Sequence, residues 1–412
     1  MNIILVNHYA GSPQMGMEFR PYYMAKEWIQ MGHQVTIIAG DYSHLRKENP
    51  RIIKDYQVEN IDGITYCWFQ TGEYEGNGAK RGLTMLRFCR KLLKYKKQII
   101  KDFSPDVVIS SSTYPIDSIP VHWIAKKAKA KHIHEVHDMW PATLTEVGGL
   151  GKSNPFVVAM QFGENYAYSH ADDVVSLPDH AEEYMKKHGL KNGHFHAIGN
   201  GVVLEEWNHP KPLAKDIELK LKDIQSSHEL VVGYLGGHAL SNSLDLFLDA
   251  AVKLRNENIA FVLVGDGVEK KALIERTEKE QLEHVYFFDP VDKTSIPLVA
   301  KYFCCGYLGA KISPLYRFGI CMNKMFDYMM AELPVLCAIT APDNPVSVSQ
   351  GGIMVESGDV NGITSAILKL RDMSDKERSN MGEKGKAYIM NHATYQILSQ
   401  QFADLFTVGG SR

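Results

Sequence analysis

Short apolar runs recur along the chain, and between them apolar positions return every three or four residues. In the first half this pattern predicts strands at 3–7, 34–39, 65–69, 106–110, 132–136, 173–176 and 194–198. Helical spacing fills the intervals at 20–31, 83–102 and 179–188. The rhythm restarts in the second half at 230–235, 243–255, 260–264, 269–280, 285–288, 323–330 and 334–338. Alternating strands and helices are the mark of parallel sheets covered by helices. Between the halves, Glu206-Trp207-Asn208-His209-Pro210-Lys211-Pro212 and the charged stretch to about His228 read as a linker, because two prolines among polar residues break both periodicities. A last helical segment spans 385–406 and a loose tail follows from Val408. The expected fold is α/β: two doubly wound, Rossmann-like domains facing each other across a cleft. The first is expected over 1–208, with a C-terminal helix at about 390–408 packing back on it, and the second over 209–389.

Composition sharpens this only in part. A chain of 412 residues has material for two cores, and 45% hydrophobic with 23% charged residues is an ordinary globular balance. The formal net charge of -3 offers no overall field for nucleic acid, so none is expected as a partner. The six cysteines (Cys67, Cys89, Cys304, Cys305, Cys321, Cys337) form no Cys-x-x-Cys pair and no zinc spacing. They read as core thiols of a reducing compartment. The opening Met1–Asn7 has no basic region or cleavage site and reads as a first strand rather than a signal peptide. No apolar run approaches the roughly 20 residues of a spanning helix. A cytoplasmic protein is expected.

One local charge feature stands out. From Gly76 to Lys101 there is no acidic residue, while Arg87, Arg90, Lys91, Lys94, Lys97 and Lys101 fall on one helical face. Met85, Leu86, Cys89, Leu92, Leu93, Ile99 and Ile100 are expected on the opposite face. The one-sided sign predicts contact with an anionic membrane surface or a lipid pyrophosphate, and no aromatics interleave as they would for single-stranded nucleic acid.

Candidate chemistry gathers at strand ends. The first strand runs into Gly11-Ser12-Pro13-Gln14-Met15-Gly16 and then a helix beginning near Arg20, so backbone N–H groups can approach phosphate oxygens. It is neither a dinucleotide fingerprint nor a Walker loop. His137 and Asp138, in His134-Glu135-Val136-His137-Asp138-Met139-Trp140-Pro141, follow a strand at its C-terminal end, where open parallel sheets hold ligands. In the second half, Gly265-Asp266-Gly267 and the Asp289-Pro290-Val291 turn are placed for backbone contact with a nucleobase. The richest stretch is Gly319-Ile320-Cys321-Met322-Asn323-Lys324-Met325-Phe326-Asp327. Its glycine opens a helix whose first N–H groups suit a diphosphate, with Lys324 in the first turn and Asp327 three residues on.

Taken together, these motifs resemble the family-4 retaining glycosyltransferases of the GT-B fold. Within that family the chain is similar to transferases that build bacterial O-antigen and capsule polysaccharides, including N-acetylfucosaminyl transferases. The resemblance runs through 8–28, 135–141, 198–202, 234–237, 264–267 and 319–334. It implies a retaining enzyme that moves a sugar, such as an N-acetylated deoxyhexose, from a UDP-sugar to a lipid-linked saccharide at the inner face of a membrane. It further implies catalytic roles for His137, Asp138 and Lys324. Donor contacts are implied at Gly16, Gly237, His238, Gly265, Val291 and the 319–327 stretch, through Gly319, Ile320, Cys321, Asn323, Lys324 and Asp327. Arg20 joins Arg87, Arg90, Lys94 and Lys97 on the acceptor and membrane side. No cofactor and no metal are expected, the chain having no Asp-x-Asp motif. The chain departs from the family at Gly319 and Asp327, where two glutamates are usual. It also departs in the 237–243 loop, which lacks the usual arginine and lysine. Two alternatives stay open: an inactive sugar-nucleotide-binding subunit and a nucleotide-sugar epimerase.

Overall fold

The computed structural model describes residues 1–16, 19–76 and 78–407. Met17 and Glu18 of the glycine loop, Asn77 and the tail from Val408 lie outside them. The chain divides into two compact units: residues 1–199 with 395–412, and residues 200–394.

In the first unit the strands are β1 (Asn2–Val6), β2 (Gln34–Gly40), β3 (Gln57–Ile61), β4 (Ile64–Phe69), β5 (Val107–Ser110), β6 (Lys131–Val136), β7 (Asp173–Ser176) and β8 (Phe195–Ala197). They form one sheet in the order β3-β4-β2-β1-β5-β6-β7-β8, parallel except for the β3–β4 hairpin at one edge. Ile3 to Val6, Ile37 to Ala39 and Val107 to Ile109 are buried, as strands covered on both faces require. The order reverses at β1, whose neighbours are β2 and β5. Such a reversal opens a crevice beyond the carboxyl ends of the strands.

The second unit contains β9 (Leu230–Leu235), β10 (Ile259–Val264), β11 (Val285–Phe288), β12 (Cys305–Gly309), β13 (Val335–Ala338) and β14 (Gly352–Met354). The sheet is parallel throughout, in the order β11-β10-β9-β12-β13-β14, and reverses at β9.

Three strands carry no readable sequence signal. β3 is polar and joins β4 through Asp62-Gly63, both at positive φ (52° and 90°), a turn only such residues adopt at low cost. β12 includes two glycines, and at Gly306 a Cβ would stand 2.4 Å from the Tyr328 ring, so the strand's signal is sacrificed to packing. β14 is three residues long.

The expected linker is instead structured. Residues Leu204–Asn208 and Lys215–Ser227 are helices, and Leu221 and Ile224 of the second are buried in the core of the C-terminal unit. Val202 bridges Thr394, and Lys293 pairs with Glu206 at 3.4 Å. These contacts put the division at Gly199–Asn200 rather than at 208–209. The single helix expected over 385–406 is two, Asp375–His392 and Tyr395–Ala403. The second belongs to the N-terminal unit, where Trp28 donates to the Ser399 carbonyl at 3.1 Å and meets the Phe402 ring.

The basic segment forms a 25-residue helix, Ala79–Phe103. Its buried face is Thr84, Met85, Phe88, Leu92 and Ile99. Leu86 and Leu93, expected inside, are 55% and 38% exposed and stand among Arg90, Lys94 and Lys97. Phe88 and Thr84 take the inward positions because the stripe facing this sheet is offset from the one the spacing indicated. Among the described residues no helix is long and apolar enough to cross a membrane.

Candidate active site

In the N-terminal unit the polar residues converge beyond the ends of β1, β5 and β6. Glu135, on β6, is buried, and three residues contact its carboxylate. Arg20 donates through Nε at 3.0 Å and pairs through Nη2 at 3.0 Å, Ser111 donates its hydroxyl at 2.6 Å, and the His137 Nε2 lies 3.1 Å from Oε2. Burial pushes this carboxyl up, but the Arg20 guanidinium, His137 and Ser111 outweigh it and hold the group well below the usual carboxylate range. Arg20 also donates to the carbonyls of Ile198 and Gly199. Expected on the acceptor and membrane side, it is a buried brace whose charge answers the buried Glu135. Glu135 and Ser111 in turn fix His137, whose Nε2 is 2.9 Å from the Ser111 Oγ.

Asp138 follows, open to solvent at the strand end. Protein crowded around it raises its carboxyl, against the pull of His137 and Arg81. Arg81, from within the basic run, thus acts electrostatically on Asp138. Its guanidinium stands over the rings of Tyr9 (5.3 Å), Tyr74 (6.0 Å) and Trp140 (5.9 Å). Nothing in the spacing marks that aromatic cluster, since its members come from distant segments. Behind it, burial holds the Asp117 carboxyl up at about 7. Gly16 ends a short turn at φ 84°, a backbone state suited to glycine, with the Lys47 side chain against it.

In the C-terminal unit the loops after β9 and β10 press together. Gly265, at φ 150°, lies where a Cβ would be 1.9 Å from the Gly236 carbonyl oxygen, so no side chain is tolerated. The His238 N–H donates to the Asp266 carbonyl at 2.8 Å. His238 itself is fully buried near Tyr234 and Phe287, and burial, then Lys270 and Lys324, lower it to about 4 against the pull of Asp266. Expected as a donor contact, it is buried here, and neither ring nitrogen has a hydrogen-bond partner among the described residues. Val291 packs against the core beside this edge.

The loop after β12 leads through Gly319 (φ 102°) and buried Ile320 to the helix Asn323–Met330. The Cys321 sulfur accepts the Asn200 N–H at 2.9 Å, tying this loop to the start of the unit. Asn323 is exposed at the helix start, and the N-cap Met322 supplies no side-chain cap. Lys324 reaches back to the 237–243 loop: its ammonium donates to Tyr234 Oη at 2.9 Å and Asn242 Oδ1 at 2.6 Å. Tyr234 and Asn242 both donate onward to the Gly237 carbonyl, at 2.7 and 2.8 Å. The third ammonium proton has no acceptor among the described residues. Burial lowers Lys324 to about 8. Asp327, on the same helix, is raised to about 6 by burial, with Lys293 pulling it down and Glu206 pushing it up.

Lys324, Gly237, Asn242 and the opening of the Asn323–Met330 helix thus share one strand edge, while His137 and Asp138 lie at the corresponding edge of the other unit. The Arg87 guanidinium donates to the Thr71 carbonyl at 3.1 Å, whereas Arg90, Lys94 and Lys97 stay exposed on their helix.

Comparison with known proteins agrees with this division. Residues 15–201 match the family described as Glycosyl transferase 4-like domain, and residues 229–372 match Glycosyl transferases group 1. No curated protein matches the chain in sequence. Among solved structures it is similar to sucrose-phosphate synthase of Thermosynechococcus elongatus, at 14% identity over 98% of both chains with a TM-score of 0.71. It is also similar to the Anabaena HepE protein solved with UDP and glucose, at 14% identity over 98% of this chain and 99% of that one, TM-score 0.66. A third is WaaG, a glycosyltransferase involved in lipopolysaccharide biosynthesis, at 14% identity over 99% and 100%, TM-score 0.65. A glycosyl transferase 4-like domain followed by a group 1 domain, on two parallel α/β sheets, makes this chain a glycosyltransferase of the GT-B type.

Proposed function

We propose that the enzyme transfers a sugar, with retention of anomeric configuration, from a UDP-sugar to a lipid-linked saccharide in bacterial surface-polysaccharide synthesis. The observation that carries the donor reading is the Lys324 ammonium, held by Tyr234 and Asn242 beside the Gly237 loop at a helix start. A nucleoside diphosphate is the leaving group such a cation and free N–H groups suit. That HepE, a structural relative over nearly the whole chain, was solved with UDP supports uridine as the base. WaaG's involvement in lipopolysaccharide synthesis supports the polysaccharide setting, and the acidic-free, leucine-bearing face of the Ala79–Phe103 helix supports work at an anionic membrane's inner surface.

In this reading the C-terminal unit binds the diphosphate and Asp327 takes the ribose hydroxyls. His137, oriented by Glu135 and Ser111, touches the donor sugar. The acceptor hydroxyl is deprotonated by the leaving phosphate oxygen, so the protein contributes positioning and charge. No metal is required. Product linkage read by NMR coupling constants is expected to match the donor's anomeric configuration, and turnover is expected to survive EDTA. Inversion, or full inhibition by the chelator, would discard the retaining, metal-free assignment. His137→Ala is expected to cut turnover far more than UDP affinity. Loss of affinity with unchanged turnover of bound donor would move His137 to the diphosphate.

A further inference from the structure

The helices Ser118–Ala128 and Pro155–His170 pack beside the basic helix on one side of the N-terminal sheet. Together they enclose a groove of about 400 Å³ that the glycosyl-transfer reading does not use. Lys96, Lys126 and Lys127 contribute ammonium groups to it. None of the three is in an ion pair among the described residues, unlike Lys91 with Asp55, or Lys131 with Asp173 at 2.7 Å. The carboxylate that acts on the groove's His122 is Asp172, which is engaged by the His132 N–H at 2.8 Å. The wall is aromatic: Tyr166 and His170 stack at 3.9 Å, and Trp123 donates its indole N–H to the Tyr166 hydroxyl at 3.2 Å. His122 has its Nδ1 enclosed without a hydrogen-bond partner among the described residues. Lys96 stands over the Trp123 ring at 5.2 Å, so a cation and an indole share one rim.

Around this rim large apolar side chains face water. Trp123 is 50% exposed, and Phe162, next to Tyr166, is 63% exposed. Leu93 lies about one turn before Lys96 on the basic helix. Ammonium groups without ion-pair partners among the described residues, beside an aromatic wall and exposed apolar groups, fit a phosphate at the level where headgroups meet acyl chains.

We infer that the groove between the Ala79–Phe103, Ser118–Ala128 and Pro155–His170 helices binds the phosphate headgroup of an anionic phospholipid. Lys96, Lys126 and Lys127 hold the phosphate, and Trp123 and Phe162 enter the interface. This rests on the membrane reading above and gives it a site. It makes attachment depend on one defined site rather than on diffuse charge on the neighbouring basic residues.

The test is sedimentation of the full chain with phosphatidylcholine vesicles, with and without roughly a quarter phosphatidylglycerol. The protein is expected to bind only the anionic vesicles. Lys96→Gln/Lys126→Gln/Lys127→Gln is expected to lower partitioning about 100-fold, at roughly fivefold per lysine near the surface. A charge-matched control, Lys215→Gln/Lys220→Gln/Lys222→Gln on the exposed helix of the other unit, is expected to bind as the parent does. Brominated acyl chains are expected to quench a tryptophan signal that disappears in Trp123→Phe. If the groove variant partitions normally while replacing Arg90, Lys94 and Lys97 abolishes binding, the groove is refuted and the membrane reading stands. If the parent protein binds no vesicle, both fall. If glycerol phosphate shifts Trp123 emission but vesicles do not, the site serves a soluble phosphate and the lipid assignment is overturned.

Discussion

Lys324→Ala is expected to lower turnover by a factor on the order of 100 or more, the scale set by removing one preorganised donor from a developing charge. Cleavage of a sugar–phosphate bond leaves negative charge on the bridging oxygen. The 237–243 loop carries no arginine or lysine, and the ammonium of Lys324 hydrogen-bonds to it through Asn242. Two of its protons are fixed by Tyr234 and Asn242, so the charge is aimed before substrate arrives. Burial adds a pH signature. With the free amine lowered to about 8, the charged form is already being lost on the alkaline side of neutrality. A bound diphosphate favours the ammonium and raises that pKa, so UDP binding should take up a proton near and above pH 8 and weaken as pH rises. Lys324→Arg keeps its charge and should bind UDP with a flat profile across that range. Calorimetry in buffers of different ionisation enthalpy measures the proton uptake. A near-normal Lys324→Ala enzyme, or a parent profile as flat as the arginine variant's, would mean the charge is met elsewhere.

The second large effect concerns stability. Arg20→Met should destabilise the protein by about 3–5 kcal/mol, because it leaves the buried Glu135 carboxylate without its guanidinium. The pH dependence has a definite sign. In the parent the Glu135 pKa is depressed on folding, so its stabilisation is complete above the ordinary value of 4.5 and is lost only as pH falls through the lower folded value. In Arg20→Met burial dominates and raises the same carboxyl, so protonation favours the folded state. The gap between variant and parent should therefore be widest near neutrality and narrow on acidification. Denaturant unfolding at about pH 7 and about pH 5 reads both quantities. A loss under about 1 kcal/mol at neutral pH would mean water, not Arg20, answers Glu135.

Much of this architecture is legible from residue order. Runs such as Leu230–Leu235 and Val285–Phe288, and the helix Asn323–Met330, coincide with their predicted bounds, because a strand buried on both faces must be apolar throughout and a helix must repeat its apolar side. The same periodicity overlooked β3 and β12, whose polar and glycine-containing sequences answer to a neighbouring strand and to the Tyr328 ring. It also took the 206–228 stretch for a linker, because Leu221 and Ile224 are too few to signal a buried face until the core that covers them is present.

The chemistry divides along the same line. Sequence by itself determined the α/β class, the strand-end positions of His137 and Asp138, and the first-turn position of Lys324. Each of these follows from local period and from where a strand must stop. Only the tertiary structure decided that Arg20 is a buried partner of Glu135, that His238 is buried, and that Arg81 leaves the basic run to stand over Tyr9, Tyr74 and Trp140. Only it brings Lys324 to Asn242 across 82 residues of chain, and Lys96 to Trp123. The physical reason is that a side chain's charge and reach are local properties, whereas its partner and its solvation are set by whichever distant segment packs against it.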